Sequence, residues 1–193
     1  MKIFPKRLIQ FIFLVILFAV LAPAQLANAQ TETSPADDVH VLIEPVIGYQ
    51  SLQRTYPFDH KQGMLTYGLR VVVGTYRLAG EGEFQYGSAT ENFSNPTVTD
   101  NTSFIQARVG ARTIVPVIEQ LSLIFRLGME GFHYSNEISN ATTTITDSPA
   151  WKFEPYLGAG VNFFLFKSLS LSVEEVYVVD TSWETSFGFR LYI

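Results

Sequence analysis

The sequence predicts an all-β protein: an eight-stranded antiparallel up-and-down transmembrane β-barrel. Three observations carry that prediction. From Val39 to Ile193 the chain reads as eight runs in which apolar and polar residues alternate, the period of a strand with a different medium on each face. The links between the runs alternate between short turns and longer polar loops, the build of a barrel that crosses a bilayer. The polar faces are rich in glycine and carry opposite charges in near balance, while the other faces are aromatic and aliphatic.

The barrel is preceded by a leader. Lys2, Lys6 and Arg7 are followed by an apolar run from Leu8 to about Leu21 and then by Ala27-Asn28-Ala29. A basic start, a short apolar middle and a small-x-small site describe a secretory signal peptide, with cleavage expected after Ala29. Residues 30–38 are polar, contain Pro35, and read as a flexible lead-in to a single domain over 39–193. After Ala29 no apolar run is long enough for a membrane helix, so a mature chain that enters a membrane must close as a barrel.

Composition excludes several chemistries. The formal net charge is −5, and loss of the three leader cations makes the mature chain more acidic, so no nucleic-acid partner is expected. With no cysteine in the chain, disulfides, thiol catalysis and Cys-bound metals are ruled out. The histidines, His40, His60 and His133, lie far apart, so neither a metal site nor any cofactor is expected.

The strands follow in order. The first begins at Val39, with Val41, Ile43, Ile47 and Tyr49 on one face and Glu44 on the other. The second, about Met64 to Gly74, sets Leu65, Tyr67, Leu69, Val71 and Val73 against Arg70. The third, about Leu78 to Tyr86, opposes Leu78, Phe84 and Tyr86 to Glu81 and Glu83. In the fourth, about Ser103 to Val115, Ile105, Ala107 and Val109 face away from Arg108 and Arg112. The fifth runs from Leu121 to about Tyr134, with Leu127 and Met129 opposite Arg126 and Glu130. The sixth places Trp151, Phe153 and Leu157 against Lys152, Glu154 and Tyr156. The seventh, from Leu169, carries Glu174. Strict alternation would then put Glu175 on its apolar face, which predicts a β-bulge at Glu174-Glu175 that returns Val176 and Val178 to that face. The last strand, from Trp183, alternates Phe187 and Phe189 with Glu184 and Arg190. The longer loops are expected at 51–63, 87–102 and 135–150.

A soluble eight-stranded barrel such as a lipocalin would turn its apolar residues inward. Here the charged faces also carry Gly68, Gly74, Gly110, Gly128, Gly158, Gly160 and Gly188, which leave room for long side chains in a narrow lumen. The predicted interior network is Glu44, Arg70, Glu81, Glu83, Arg108, Arg112, Arg126, Glu130, Lys152, Glu154, Glu174, Glu184 and Arg190. Aromatic residues near strand ends suggest two interfacial girdles: Tyr49, Tyr86, Trp151, Tyr177 and Trp183 on the loop side, and Tyr76, Phe163, Phe164, Phe166 and Tyr192 on the turn side.

The terminal stretch resembles the C-terminal signal of bacterial outer-membrane barrels. Ser186, Gly188, Leu191 and Ile193 stand at its spacings, with Ile in place of the usual final Phe. From Val39 to Ile193 the organisation is similar to the small eight-stranded barrels of the OmpA/OmpX type. The resemblance implies an integral protein of the bacterial outer membrane, a monomer, in contact with outer-membrane lipid and lipopolysaccharide and delivered by the barrel-assembly machinery. It implies a structural or surface-interaction role for the extracellular loops, whose ligand it does not name.

Two other functions are open from sequence. His133-Tyr134-Ser135-Asn136 is similar to the His-x-Ser-Asn motif of outer-membrane lipid A deacylases; by that resemblance His133 would be the general base, Ser135 the nucleophile and Asn136 a positioning group. A narrow porin is the other, although eight strands filled by charged side chains leave little lumen.

Overall fold

The computed structural model describes residues 39–54, 60–75, 77–94, 97–166, 169–179 and 182–191. The expected leader over 1–29, the expected lead-in over 30–38, and Tyr76, Tyr192 and Ile193 lie outside the described residues. Those described form nine strands: β1 (His40–Arg54), β2 (His60–Gly74), β3 (Leu78–Ser94), β4 (Thr97–Ile118), β5 (Leu121–Ser139), β6 (Thr144–Asp147), β7 (Lys152–Phe166), β8 (Leu169–Val178) and β9 (Ser182–Leu191). Eight of them form a closed antiparallel ring, in which β1 pairs with β9 and β4 with β5; the short β6 is an appendage paired with β5 alone. Closure removes the unpaired edges that an open sheet would leave.

Hydropathy is distributed inside out. Val41, Leu65, Leu127 and Phe153 lie on the outer surface with 61–71 % of their area exposed. Glu44, Arg70, Arg126 and Glu184 are buried to 1 % or less. Only a medium as apolar as lipid makes that arrangement favourable, because exposing an aliphatic belt to water costs about 25 cal/mol for every Å². The interior is layered. Successive inward positions on β4 read Arg112, Gly110, Arg108, Gln106 and Phe104, so charges give way to amides and then to a hydrocarbon cap. Leu52, Met64, Phe104 and Phe132 form that cap, with Ala89 and Tyr134 against it.

Two glycines show why the charged faces are rich in this residue. Gly110 and Gly128 are cross-strand partners, and the ring of Tyr156 occupies the space above them. A Cβ on Gly128 would come within 2.6 Å of the Gly110 Cα and 2.9 Å of Tyr156 Cε1.

Two expectations are corrected. Pairing of β8 with β7 and β9 runs through Glu174 and Glu175 without a shift, so there is no bulge there. Glu175 instead stays on the outer face, where the Thr185 hydroxyl donates to it at 2.6 Å, and Val176 and Val178 point inward, fully buried. The register shifts fall at the turn ends, between Pro116 and Ile118 and between Phe164 and Phe166. Pro116 has no N–H to give to a ladder, which suits it to such a place. The second correction concerns the polar segments. Most of 87–102 and 135–150 is strand: β3 and β4 pair out to Ser94–Thr97, β4 and β5 out to Thr99–Ser139, and β5 then takes β6 alongside. With β8 and β9 only ten residues each, this four-stranded sheet stands out from one side of the barrel mouth. The segment 51–63 is likewise shortened, since β1 and β2 pair out to Arg54 and His60.

Candidate functional site

Each interior charge is set by strand alternation, and ring closure brings together groups remote in sequence. Arg70 on β2 reaches Glu83 at 2.5 Å, Glu174 at 2.7 Å and Glu44 at 3.2 Å. Arg126 reaches Glu81 at 2.5 Å, Glu83 at 2.9 Å and Glu174 at 3.0 Å. Arg108 reaches Glu130 at 2.5 Å, Glu184 at 2.6 Å and Glu83 at 2.9 Å. At the turn end Arg112 lies 3.1 Å from Glu44, to which Arg190 Nε also donates. Five arginines and six glutamates therefore share one buried lattice. Most members touch more than one opposite charge, the condition under which buried ions offset their loss of water.

Lys152 is not part of this lattice, and Glu154 is only half-buried. β7 begins at Lys152, at the loop end, where the lysine side chain reaches water instead of the sealed section below. The predicted network leaves out Tyr156, Gln85 and Gln106, which alternation nonetheless places on the inward faces. The Tyr156 hydroxyl donates to Glu81 at 2.8 Å, and its ring lies between two guanidinium groups, those of Arg108 and Arg126, each 5.6 Å from the centroid. Gln85 and Gln106 donate to the two oxygens of Glu184 at 2.8 and 2.9 Å. The signal for Tyr156 was present in the facing glycines on the neighbouring strands. At the turn end a cavity of 30 Å³ between His40, Val72, Ala79, Arg112 and Arg190 has room for about one or two waters.

Of the four positions that resemble an assembly signal, Ser186, Gly188 and Leu191 lie on β9, and Ile193 lies outside the described residues. Ser186 and Gly188 face inward and Leu191 pairs with Leu169 at the turn end.

The His133 motif is divided between the two faces of β5. His133 and Ser135 lie on the outer face of β5, but Asn136 turns inward, is 1 % exposed, and accepts a hydrogen bond from the Thr102 hydroxyl at 2.7 Å. Alternation forces this, since adjacent residues of a strand face opposite ways. The His133 ring stacks on Trp151 with centroids 5.7 Å apart, and its Nε2 lies 3.3 Å from the Ser148 hydroxyl. Along the same row Tyr67, Tyr86, Ile105 and His133 are successive cross-strand partners, so the imidazole takes a place in an aromatic belt.

The outer face of β4 and β5 carries two grooves. The lower, 460 Å³, has Ala107 in its floor and Val109, Met129, Trp151 and the Phe153 ring, which covers Gly131, around it. The upper, 250 Å³, is lined chiefly by Ser88, Asn101, Ser103, Ser135, Glu137 and Thr146.

No protein-family model matches the sequence, and no curated protein matches it. Among solved structures, the chain is similar to Ail, the attachment invasion locus protein of Yersinia pestis, solved in complex with the heparin analogue sucrose octasulfate. The TM-score is 0.53 at 15 % identity, over 78 % of this chain and 97 % of that one. It is also similar to Neisserial surface protein A, with a TM-score of 0.58 at 8 % identity, over 81 % of this chain and 99 % of that one. At these identities the likeness is one of fold, and that fold is the small eight-stranded outer-membrane barrel.

Proposed function

We propose that the protein is an integral barrel of a bacterial outer membrane whose role is surface interaction, carried by the sheet β3–β4–β5–β6. The proposal includes export with removal of residues 1–29 and insertion by the barrel-assembly machinery, guided by the β9 positions. The observation that carries it is the projecting sheet itself. All four residues of β6 are exposed, and among the described residues β6 pairs with β5 alone. An unpaired strand edge held above a membrane is a template for another chain, because its free N–H and C=O groups recognise an extended segment by main-chain hydrogen bonds.

The charge of this region separates it from a receptor for sulfated ligands of the kind seated on Ail. Among the side chains described, the outer hairpins carry Glu91, Asp100, Glu137, Asp147 and Glu154 against Lys61 and Lys152, which does not favour a polyanion. A pore is disfavoured by the filled section, and recordings in planar bilayers should show no stable opening.

The role is tested on cells that express either the full chain or a variant lacking residues 140–150. Both should appear in the outer-membrane fraction as heat-modifiable barrels. Adhesion to immobilised matrix proteins and to cultured cells should rise with the full chain and return to background with the variant. Equal adhesion by variant and full chain, or none above cells without the protein, removes the surface-interaction role.

A further inference from the structure

The two grooves on the outer wall belong to one track. On β4 the outward positions run Ala107, Ile105, Ser103, Asn101, and on β5 they run Gly131, His133, Ser135, Glu137; the two series are paired in register. Four residues, or about 13 Å, separate the centre of the apolar slot from the start of the polar one. Between them lies the row of Ile105 and His133, where Trp151 stacks on the imidazole and Ser148 approaches it. Going outward, the wall therefore changes from hydrocarbon to aromatic and imidazole and then to hydroxyls. That is the order of chemistry along a membrane amphiphile from tail to headgroup.

We propose that this wall is a binding site for a glycolipid of the outer leaflet, with one acyl chain in the slot over Ala107, against the Phe153 ring that covers Gly131, and a sugar in the groove of Ser103, Ser135 and Glu137. The proposal rests on the outer-membrane reading above and adds a ligand and a site to it. Lipid tails are as apolar as the barrel surface, so burial alone would not hold one chain in preference to another. A slot floored by Ala107 and bordered by Met129, Trp151 and Phe153 does so by adding dispersion contacts that a smooth wall lacks. The polar groove chooses the headgroup. Its one charged lining residue is Glu137, a carboxylate that accepts hydrogen bonds from sugar hydroxyls and repels a phosphate.

The test uses the two tryptophans as reporters. The W183F chain leaves Trp151 beside the slot, and the W151F chain leaves Trp183, which packs with Tyr177 at 5.4 Å elsewhere on the wall. Each is folded into phosphatidylcholine vesicles that contain either a glucosyl diacylglycerol or a phosphatidylglycerol with brominated acyl chains, and quenching is read against mole fraction. Trp151 should prefer the brominated glycolipid by about fivefold, the worth of one net hydrogen bond, while Trp183 should show no preference. A107F, which fills the slot from the lipid side, should abolish the preference while the barrel remains heat-modifiable; S135A should lower it. No preference at Trp151, a preference for the phosphatidylglycerol, or a preference that survives A107F would each overturn the site. If neither tryptophan is quenched by any brominated lipid, the barrel is not in the bilayer, and the outer-membrane reading falls together with the site.

Discussion

Replacing Arg70 with methionine tests whether the interior is held as a charge lattice. Arg70 is fully buried and contacts three carboxylates, Glu83, Glu174 and Glu44. Each of these keeps another cation in the variant. Glu83 retains Arg108 and Arg126, both at 2.9 Å, Glu174 retains Arg126 at 3.0 Å, and Glu44 retains Arg112 at 3.1 Å. No carboxylate is stranded, so the loss should lie at the low end of what removing one partner of a buried ion pair costs, about 3 kcal/mol. Most of that cost is the extra uncompensated negative charge, since five arginines already face six glutamates. The double variant R70M/E174Q restores the original balance and should recover at least half of the loss, a non-additivity expected only of groups in direct contact. Urea unfolding in phosphatidylcholine vesicles, followed by gel mobility without heating, measures both. A single variant within about 1 kcal/mol of the parent, or a double variant no more stable than the single, would show that the lattice does not act as a unit.

Three further outcomes follow from the same section. L127K places a cation on the outer face, where Leu127 is 61 % exposed, and should cost about 2–4 kcal/mol in vesicles if that face meets lipid; an unchanged midpoint would mean it meets water. Y156F removes the donor to Glu81 and should cost about 1.5–3 kcal/mol, as expected for a hydrogen bond to a charged group, measured by the same unfolding curve. Deleting residues 189–193 removes the pairs Phe189–Leu171, Arg190–Ser170 and Leu191–Leu169 together with the Arg190–Glu44 contact, so no heat-modifiable form should reach the outer-membrane fraction. Normal insertion of that truncated chain would remove the assembly role of the terminus.

The barrel was legible in the sequence because its two faces meet media of opposite polarity, so every strand repeats the same contrast. What was less legible arose where that contrast is absent or locally suspended. Ser88, Thr90 and Asn101 read as loop because they are polar on a segment beyond the apolar belt. Their strand pairing is carried by the backbone and by side-chain bonds such as Thr90 to Asn101 at 2.7 Å. Glu175 breaks the pattern without breaking the strand, because uninterrupted ladders on both sides outweigh one outward carboxylate that a threonine hydroxyl satisfies. Asn136 was grouped with His133 on sequence adjacency, and the period of two separates them. Tyr156 was read as one inward residue among many, since its partnership with Arg108, Arg126 and Glu81 exists only after β3, β4, β5 and β7 have come together.

The distribution of the lattice along the chain bears on how the barrel is built. In the first hairpin, β1–β2, the buried charges are Glu44 and Arg70. In β3–β4 the lattice members are Glu81 and Glu83 with Arg108 and Arg112, and β5 with β7 contributes Arg126 and Glu130; Asp100, also buried, lies farther along β4 toward the loop end and outside the lattice. Each of these units brings its lattice charges in equal number. An unbalanced charge in hydrocarbon is expensive, and a hairpin that carries its own counter-ions presents none to the bilayer while the ring is still open. The exception is the last unit, β8–β9, where Glu174 and Glu184 stand against Arg190 alone. That unit finds its missing cations on strands already in place: Arg70, Arg126 and Arg108. The order of charges along the chain thus suits insertion hairpin by hairpin, with the final one drawn to the open edge by an imbalance that ring closure relieves.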